Sequence, residues 1–299
     1  MGDAAHVGSF EHAVFNGPWP VKPDTEMVDA PDNYADRRLA NEPEIPAQIA
    51  VWKVQDTGKT SGGVVGRKYG FEDSPDAEVL VEGLNFGKEY GAVGIGRHGN
   101  VLQWGYSAAP SKMTEAGRRL FLNCVVHISR FEGKGILVRR ESSHRDDALR
   151  LAALITKIRD RSFFDATFPP ALMERFKGDP DGLVQYYLDG YEFIYKDKTF
   201  VVDEELQALG LPSNRRVETL EALVGMLSDK PKARAARVLL ERYTIERFPT
   251  PEAWQAWLDA SLGRIYFSDV GGYKFRVTPE GYMDTKWTEH GSITGQGTE

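Results

Sequence analysis

The chain has 299 residues, of which 41% are hydrophobic and 27% are charged. This is the composition of a folded globular protein, and the length suffices for two domains. The 37 basic and 44 acidic side chains give a net charge of −7, whereas nucleic-acid-binding domains usually carry a basic surplus. We therefore expect no nucleic-acid partner.

The single cysteine, Cys124, lies in an apolar run and cannot form a disulfide within the chain. One thiol cannot supply a cysteine-based zinc or iron–sulfur site, and a buried thiol is inert. No apolar stretch approaches the roughly 20 residues of a membrane span, and the N-terminus lacks the basic and apolar regions of a signal peptide. We expect no membrane partner and a cytoplasmic location for the chain as given, or export if it is a fragment of a longer precursor.

Residues 1–47 are predicted to form an extended arm, because closely spaced prolines leave no room for a long helix or a central strand. From residue 48 onward, β-branched and aromatic residues between turn residues predict an α/β domain over residues 48–140. Its predicted strands lie at residues 49–54, 64–69, 77–81, 91–95, 101–106 and 136–138. The turn 98–100 should join two of these strands in a β-hairpin, because glycine and asparagine accept a positive φ.

One helix is predicted after Pro110, with Ser111 or Thr114 as its cap. Its apolar residues recur at spacings of three and four, which predicts that it lies on the sheet. These residues are Leu120, Cys124, Val125 and Ile128.

Helical periodicity dominates the rest of the chain and predicts a mainly helical domain over residues 141–287, beginning with a helix at 148–158. Two amphipathic helices within residues 216–243 predict an αα-hairpin. A further helix and a small β-hairpin around Gly271 should follow. The polar residues 288–299 are predicted to form a frayed tail.

Motifs that would carry catalysis are not recognisable. The glycines of the stretch 94–99 match a dinucleotide-binding pattern, but a strand follows where that pattern requires a helix, so no nucleotide site is expected. No Gly-x-Ser-x-Gly elbow occurs. The six histidines show no metal-ligand spacing, so we predict neither a metal site nor a cofactor; His127, on the apolar face of a helix, is interpreted as a core histidine.

The best candidates for ligand binding lie on the predicted hairpin. Polar side chains on a loop held by a rigid scaffold often bind ligands. The candidate residues are Arg97, His98 and Asn100 near the turn, with Trp104 on the second strand.

Two stretches resemble ThuA-like (trehalose-utilisation) proteins, a branch of the class I glutamine amidotransferase-like fold. Residues 11–18, Glu-His-Ala-Val-Phe-Asn-Gly-Pro, are similar to the family's His-Pro-Ile-Phe-x-Gly stretch, and residues 91–131 look like its closing hairpin and helix. The resemblance covers about residues 10–131 and implies a partial α/β sandwich of that fold. Amidotransferase relatives place a nucleophilic cysteine in the first half of the fold, where Cys124 does not lie, which implies a non-catalytic remnant or a fragment.

Residues 212–277 resemble a C-terminal module that follows HEAT-like helical repeats in bacterial proteins of unknown role. This resemblance implies an architecture and no activity. The predicted fold is thus an α/β N-terminal domain followed by a mainly α-helical domain that ends in a small β-hairpin.

Two functions are compatible with the sequence. The favoured hypothesis is a non-catalytic binding or scaffold protein whose partner is a small molecule, for instance a sugar, or another protein. The alternative is a hydrolase or carbohydrate-processing enzyme that uses the hairpin tip 97–100 with a carboxylate from the second domain.

Overall fold

The computed structural model describes residues 1–8, 10–59, 61–155 and 164–282. These residues form two compact units. The N-terminal unit comprises Met1–Leu137 and residues 280–282, and the C-terminal unit comprises Val138–Pro279. The sequence predicts the boundary between the two domains after residue 140. The described protein is mixed α/β, built from short helices and small antiparallel sheets. Among the described residues, no helix combines the length and the apolar composition needed to cross a bilayer.

The first sheet of the N-terminal unit comprises β1 (Ala4–His6), β2 (Thr25–Asp29) and β3 (Gln48–Lys53), with β3 in the middle. Helices α1 (Ala13–Asn16) and α2 (Asp32–Arg37) lie in the connections. This differs from the extended arm predicted for residues 1–47. The prolines stand between the strands or at the cap of α2, where they remove no ladder hydrogen bond. They are Pro18, Pro20, Pro23, Pro31, Pro43 and Pro46.

The second sheet of this unit comprises β4 (Ala77–Glu82), β5 (Val93–His98) and β6 (Val101–Trp104) in that order. Strands β5 and β6 form the predicted hairpin, whose turn holds Gly99 at a φ of 55°. The strand predicted at residues 64–69 is not formed; Gly66 makes an isolated bridge with Val93. Residues 136–138 also lie outside any strand.

Helix α3 (Glu115–Ser129) is capped by Thr114, whose hydroxyl accepts a hydrogen bond from the Gly117 amide at 3.0 Å. Leu120 and Cys124 on this helix are fully buried in the core of the unit, whereas Val125 is 48% exposed. The apolar face that packs inward is therefore narrower than the sequence predicts.

The first half of the C-terminal unit contains α4 (Asp146–Leu154), α5 (Pro170–Arg175) and α6 (Pro180–Asp189). Strands β7 (Ile194–Lys196) and β8 (Phe200–Val202) pair with each other. Helix α7 (Glu204–Ala208) follows, capped by Asp203. The end of the helix predicted at 148–158 lies outside the described residues.

The second half contains α8 (Val217–Met226) and α9 (Ala233–Tyr243), which pack together where the sequence predicts an αα-hairpin. Helix α10 (Pro251–Ser261) buries Trp254 and Leu258 in the same core. Strands β9 (Ile265–Ser268) and β10 (Lys274–Val277) form an antiparallel pair. The tail predicted at 288–299 lies outside the described residues.

Candidate functional site

The four candidate residues of the hairpin do not converge on one site. In the register of β5 and β6, Arg97 lies opposite Leu102 and Trp104 lies opposite Ile95. Because side chains alternate along a strand, Arg97 and Trp104 project from one face of the sheet and His98 from the other. Asn100 is exposed in the turn.

Arg97 is buried and hydrogen-bonded within the protein. Its side chain is only 3% exposed, and Nη1 donates to the carbonyl oxygens of Asp76 at 2.8 Å and Gly99 at 2.9 Å. Nε donates to the carboxylate of Glu78, and the guanidinium lies 3.7 Å from the ring centre of Phe131. Arg97 therefore positions Glu78 and the hairpin turn.

Trp104 belongs to the packing between the second sheet and α3. Its ring meets those of Phe121 and Tyr106 edge to face, with ring centres 5.0 and 5.9 Å apart. Such contacts are characteristic of core aromatics. Its role in the described structure is structural.

His98 is partly exposed, with 23% of its side chain accessible to solvent. Its Nε2 lies 3.5 Å from Oδ1 of the buried Asp76, which is long for a hydrogen bond. Burial would raise the pKa of Asp76, but His98, the Ser74 hydroxyl and the Leu137 amide outweigh it and hold that pKa below its usual value. The carboxylate next to His98 is therefore ionised at neutral pH.

A second cluster, which spacing along the chain does not reveal, joins His12, Glu78 and His127. His12 precedes α1, Glu78 lies on β4 and His127 is in the last turn of α3. Nε2 of His127 lies 2.8 Å from Oε1 of Glu78, and Nε2 of His12 lies 3.4 Å from Oε2. One potential ligand atom from each of the three residues lies within 4.8 Å of the others.

The electrostatics of this cluster leave Glu78 ionised. Burial raises the pKa of Glu78, but hydrogen bonds from His12 and His127 and the positive charge of Arg97 outweigh it and hold the pKa well below the usual range. Burial lowers the pKa of His127 more than the neighbouring carboxylate raises it. The cluster thus combines a carboxylate with an imidazole that is neutral at pH 7, and metal ions are bound by ligands in these forms.

Sequence reasoning missed this cluster because its members are separated by 66 and 49 positions. A metal motif is recognised by short spacing, as on one helix. One local sign was available: His12 stands in the segment that resembles the ThuA-like stretch. Glu78 becomes visible only from the register of β4 and β5, where it pairs with Arg97.

An open groove of about 800 Å³ lies at the N-terminus of α3, beside the ends of β2 and β3. Its lining is mixed. Pro20, Pro23 and Ala116 contribute apolar surface, and Thr25 and Thr114 lie beside equal numbers of cationic and anionic side chains. The cationic side chains are Lys22, Lys53 and Arg119, and the anionic ones are Asp24, Glu26 and Glu115.

Cys124 is expected to be unreactive in the folded protein. The residue is fully buried, and burial, with a smaller contribution from Glu78, raises the pKa of its thiol to about 12. At pH 8 such a thiol is on the order of 10⁻⁴ thiolate, against roughly a quarter for an unperturbed cysteine with a pKa of about 8.5. Labelling with a chromogenic disulfide reagent should be at least about a thousandfold slower in the native chain than in the denatured chain; comparable rates would contradict the burial.

No family model, no curated protein and no solved structure matches this chain. The resemblances to ThuA-like proteins and to a HEAT-associated module therefore stay predictions from the sequence.

Proposed function

We propose that this chain is a non-catalytic binding protein and that its N-terminal unit takes a polar small molecule in the groove at the start of α3. The observation that carries the proposal is the lining of this groove. Opposite charges in equal number, together with two threonine hydroxyls, suit an uncharged ligand with several hydroxyl groups. A sugar has this chemistry, in keeping with the ThuA-like resemblance.

The state of the other polar groups supports binding over catalysis. Arg97 is held by backbone carbonyls and Glu78. The thiol of Cys124 is buried and protonated. Among the described residues, the predicted hairpin site thus offers no activated nucleophile.

The architectural part of the proposal is that the N-terminal unit is the closing portion of a ThuA-like, glutamine amidotransferase-like sandwich and that the C-terminal unit carries the HEAT-associated module. The β5–β6 hairpin followed by α3 supports the first statement. The packed pair α8 and α9 supports the second.

Sugar binding in the groove can be tested with a panel of mono- and disaccharides, with binding detected by ligand-observed NMR and by thermal unfolding. Lys53→Ala and Arg119→Ala should each weaken the binding of a sugar hit about tenfold, equivalent to about 1.4 kcal/mol. Arg118→Ala is the matched control, because Arg118 is similarly exposed and pairs with the same Glu115 but does not line the groove. Equal affinity in all three variants, or no hit in the panel, would contradict the proposal.

One observation favours a second candidate, a hydrolase or carbohydrate-processing enzyme centred on His98. Its carboxylate partner would be Asp76 of the same unit, 3.5 Å away, whereas the sequence predicts a carboxylate from the second domain. A histidine beside an ionised carboxylate can act as a general base. Turnover of ester or glycoside substrates that His98→Ala abolishes would establish this function and refute the non-catalytic one.

A further inference from the structure

We propose that His12, Glu78 and His127 form a binding site for one divalent transition-metal ion, of which Zn²⁺ is the representative. The site lies between α1, β4 and α3, and none of its three residues lines the groove at the start of α3. The proposal is therefore independent of the sugar-binding function and can fail separately from it.

The distances in the cluster approach those of a zinc site. Zinc bonds of about 2.1 Å to nitrogen and oxygen, arranged tetrahedrally, separate neighbouring ligand atoms by roughly 3.4 Å. Nε2 of His12 and Oε2 of Glu78 are 3.4 Å apart. Nε2 of His127 lies 2.8 Å from the other oxygen, Oε1, so this separation must increase by roughly half an ångström to admit the ion. When Glu78 supplies a single oxygen, the three ligand atoms lie within 4.8 Å of one another, and the side chains must move closer around the ion.

The surroundings hold the carboxylate in place. Arg97 donates to Glu78 and is itself fixed by two backbone carbonyls. Outer hydrogen-bond partners orient a metal-binding carboxylate. Because Glu78 lies on a strand and His127 on a helix, two of the three ligands are carried by regular secondary structure.

Both histidines must change tautomer, because Nε2 of each donates a hydrogen bond to the carboxylate of Glu78. The consequence for the backbone is specific to His12. Its Nδ1 accepts a hydrogen bond from the Val14 amide at 3.2 Å, so in the neutral ring the proton is on Nε2. Coordination through Nε2 moves that proton to Nδ1 and breaks the bond from Val14. Metal binding should therefore be visible at the amide of Val14.

The ligand types determine which ions fit. Two imidazoles and one carboxylate suit Zn²⁺ and its first-row neighbours, whereas Ca²⁺ and Mg²⁺ prefer oxygen ligands. About 13% of the His12 side chain and 14% of the Glu78 side chain are exposed, which gives an ion a route from solvent. Three protein atoms leave a fourth position for water or for a ligand atom.

The test uses the full chain. Competition for Zn²⁺ against a chromophoric chelator should give one ion per chain, and Co²⁺ should produce the visible absorption of a four-coordinate site. His12→Gln should weaken Zn²⁺ binding at least about tenfold, since even the loss of an outer partner costs 10–100-fold. The Val14 amide resonance should shift on addition of Zn²⁺ to the wild type, and Ca²⁺ or Mg²⁺ should leave it unchanged.

The matched control is His6→Gln. His6 is also a buried histidine of this unit with a carboxylate partner, Glu82. Within the described part of the chain, it does not belong to the group of potential metal ligands. It should bind Zn²⁺ as the wild type does. The proposal would be overturned if the wild type bound fewer than one Zn²⁺ ion per chain. It would also be overturned if His12→Gln left the Zn²⁺ affinity unchanged, or if His6→Gln lowered that affinity equally, because the ion would then be held elsewhere.

Discussion

Replacing Arg145 with alanine should lower the free energy of unfolding of the C-terminal unit by about 3–5 kcal/mol, because it leaves a buried carboxylate without its counter-charge. Arg145 is fully buried and binds both oxygens of Asp269 at 2.7 Å. It also donates to the Asn214 side chain at 3.1 Å and to the Tyr191 carbonyl at 2.9 Å. One side chain thus connects four segments of the unit.

The stability lost in Arg145→Ala should depend on pH, and the ionisation of Asp269 determines the direction of that dependence. Burial raises the pKa of this carboxyl group, but Arg145 outweighs burial and holds the pKa below its usual value. A lowered pKa stabilises the folded state above the unfolded pKa, roughly 3.9, and this contribution disappears as the pH falls through the folded pKa. The variant lacks that contribution, so the difference between the two proteins should narrow from pH 7 to pH 3.

The control is Arg215→Ala in the same unit. Arg215 forms an ion pair with Glu192, but 40% of its side chain is exposed, and exposed pairs contribute about 0–1 kcal/mol. Hydrogen exchange of the α8 and α9 amides, measured for both variants, reports the stability of this unit separately. Similar losses of protection in the two variants would show that the buried Arg145–Asp269 pair stabilises the unit no more than the exposed Arg215–Glu192 pair.

Elements defined by local patterns were predictable from the sequence. Ser111 or Thr114 followed by apolar residues at helical spacing predicts a helix here, and glycine between two strand-forming runs predicts the turn at Gly99. The same holds for α8 and α9, since amphipathic periodicity is a property of neighbouring residues. In the structure α8 and α9 lie within the predicted range 216–243, and the turn lies between His98 and Val101.

Features that depend on distant pairing were not predictable. Strand β3 pairs with β1 and β2 and so brings residues 4–6 and 25–29 into a sheet, although the local proline content predicts an extended arm over residues 1–47. The contact between Arg145 and Asp269 spans 124 positions. The cluster of His12, Glu78 and His127 likewise depends on three elements that are distant in sequence and lie close together in the fold. No short spacing in the sequence indicates this contact.

Gly117→Ala should destabilise the N-terminal unit by about 1–3 kcal/mol, even though alanine is the better helix former. Gly117 lies in the first turn of α3, close to the end of β3. A Cβ atom there would lie 1.9 Å from the carbonyl oxygen of Val54, and this oxygen also accepts a hydrogen bond from the Thr114 amide. Because a backbone carbonyl cannot rotate away as a side chain does, the helix and the strand must separate to admit the methyl group.

The same substitution at Gly225 isolates this steric effect from helix propensity. Gly225 is exposed on α8. Apart from its two chain neighbours and the backbone of the same helix, no described atom lies within 4 Å of a Cβ atom built there. Gly225→Ala should therefore stabilise its unit by about 0.5–1 kcal/mol, the usual difference between glycine and alanine in a helix. Hydrogen exchange of the α3 and α8 amides in the two variants should change in opposite directions. Increased protection of α3 in Gly117→Ala would show that α3 and β3 do not approach as closely as described.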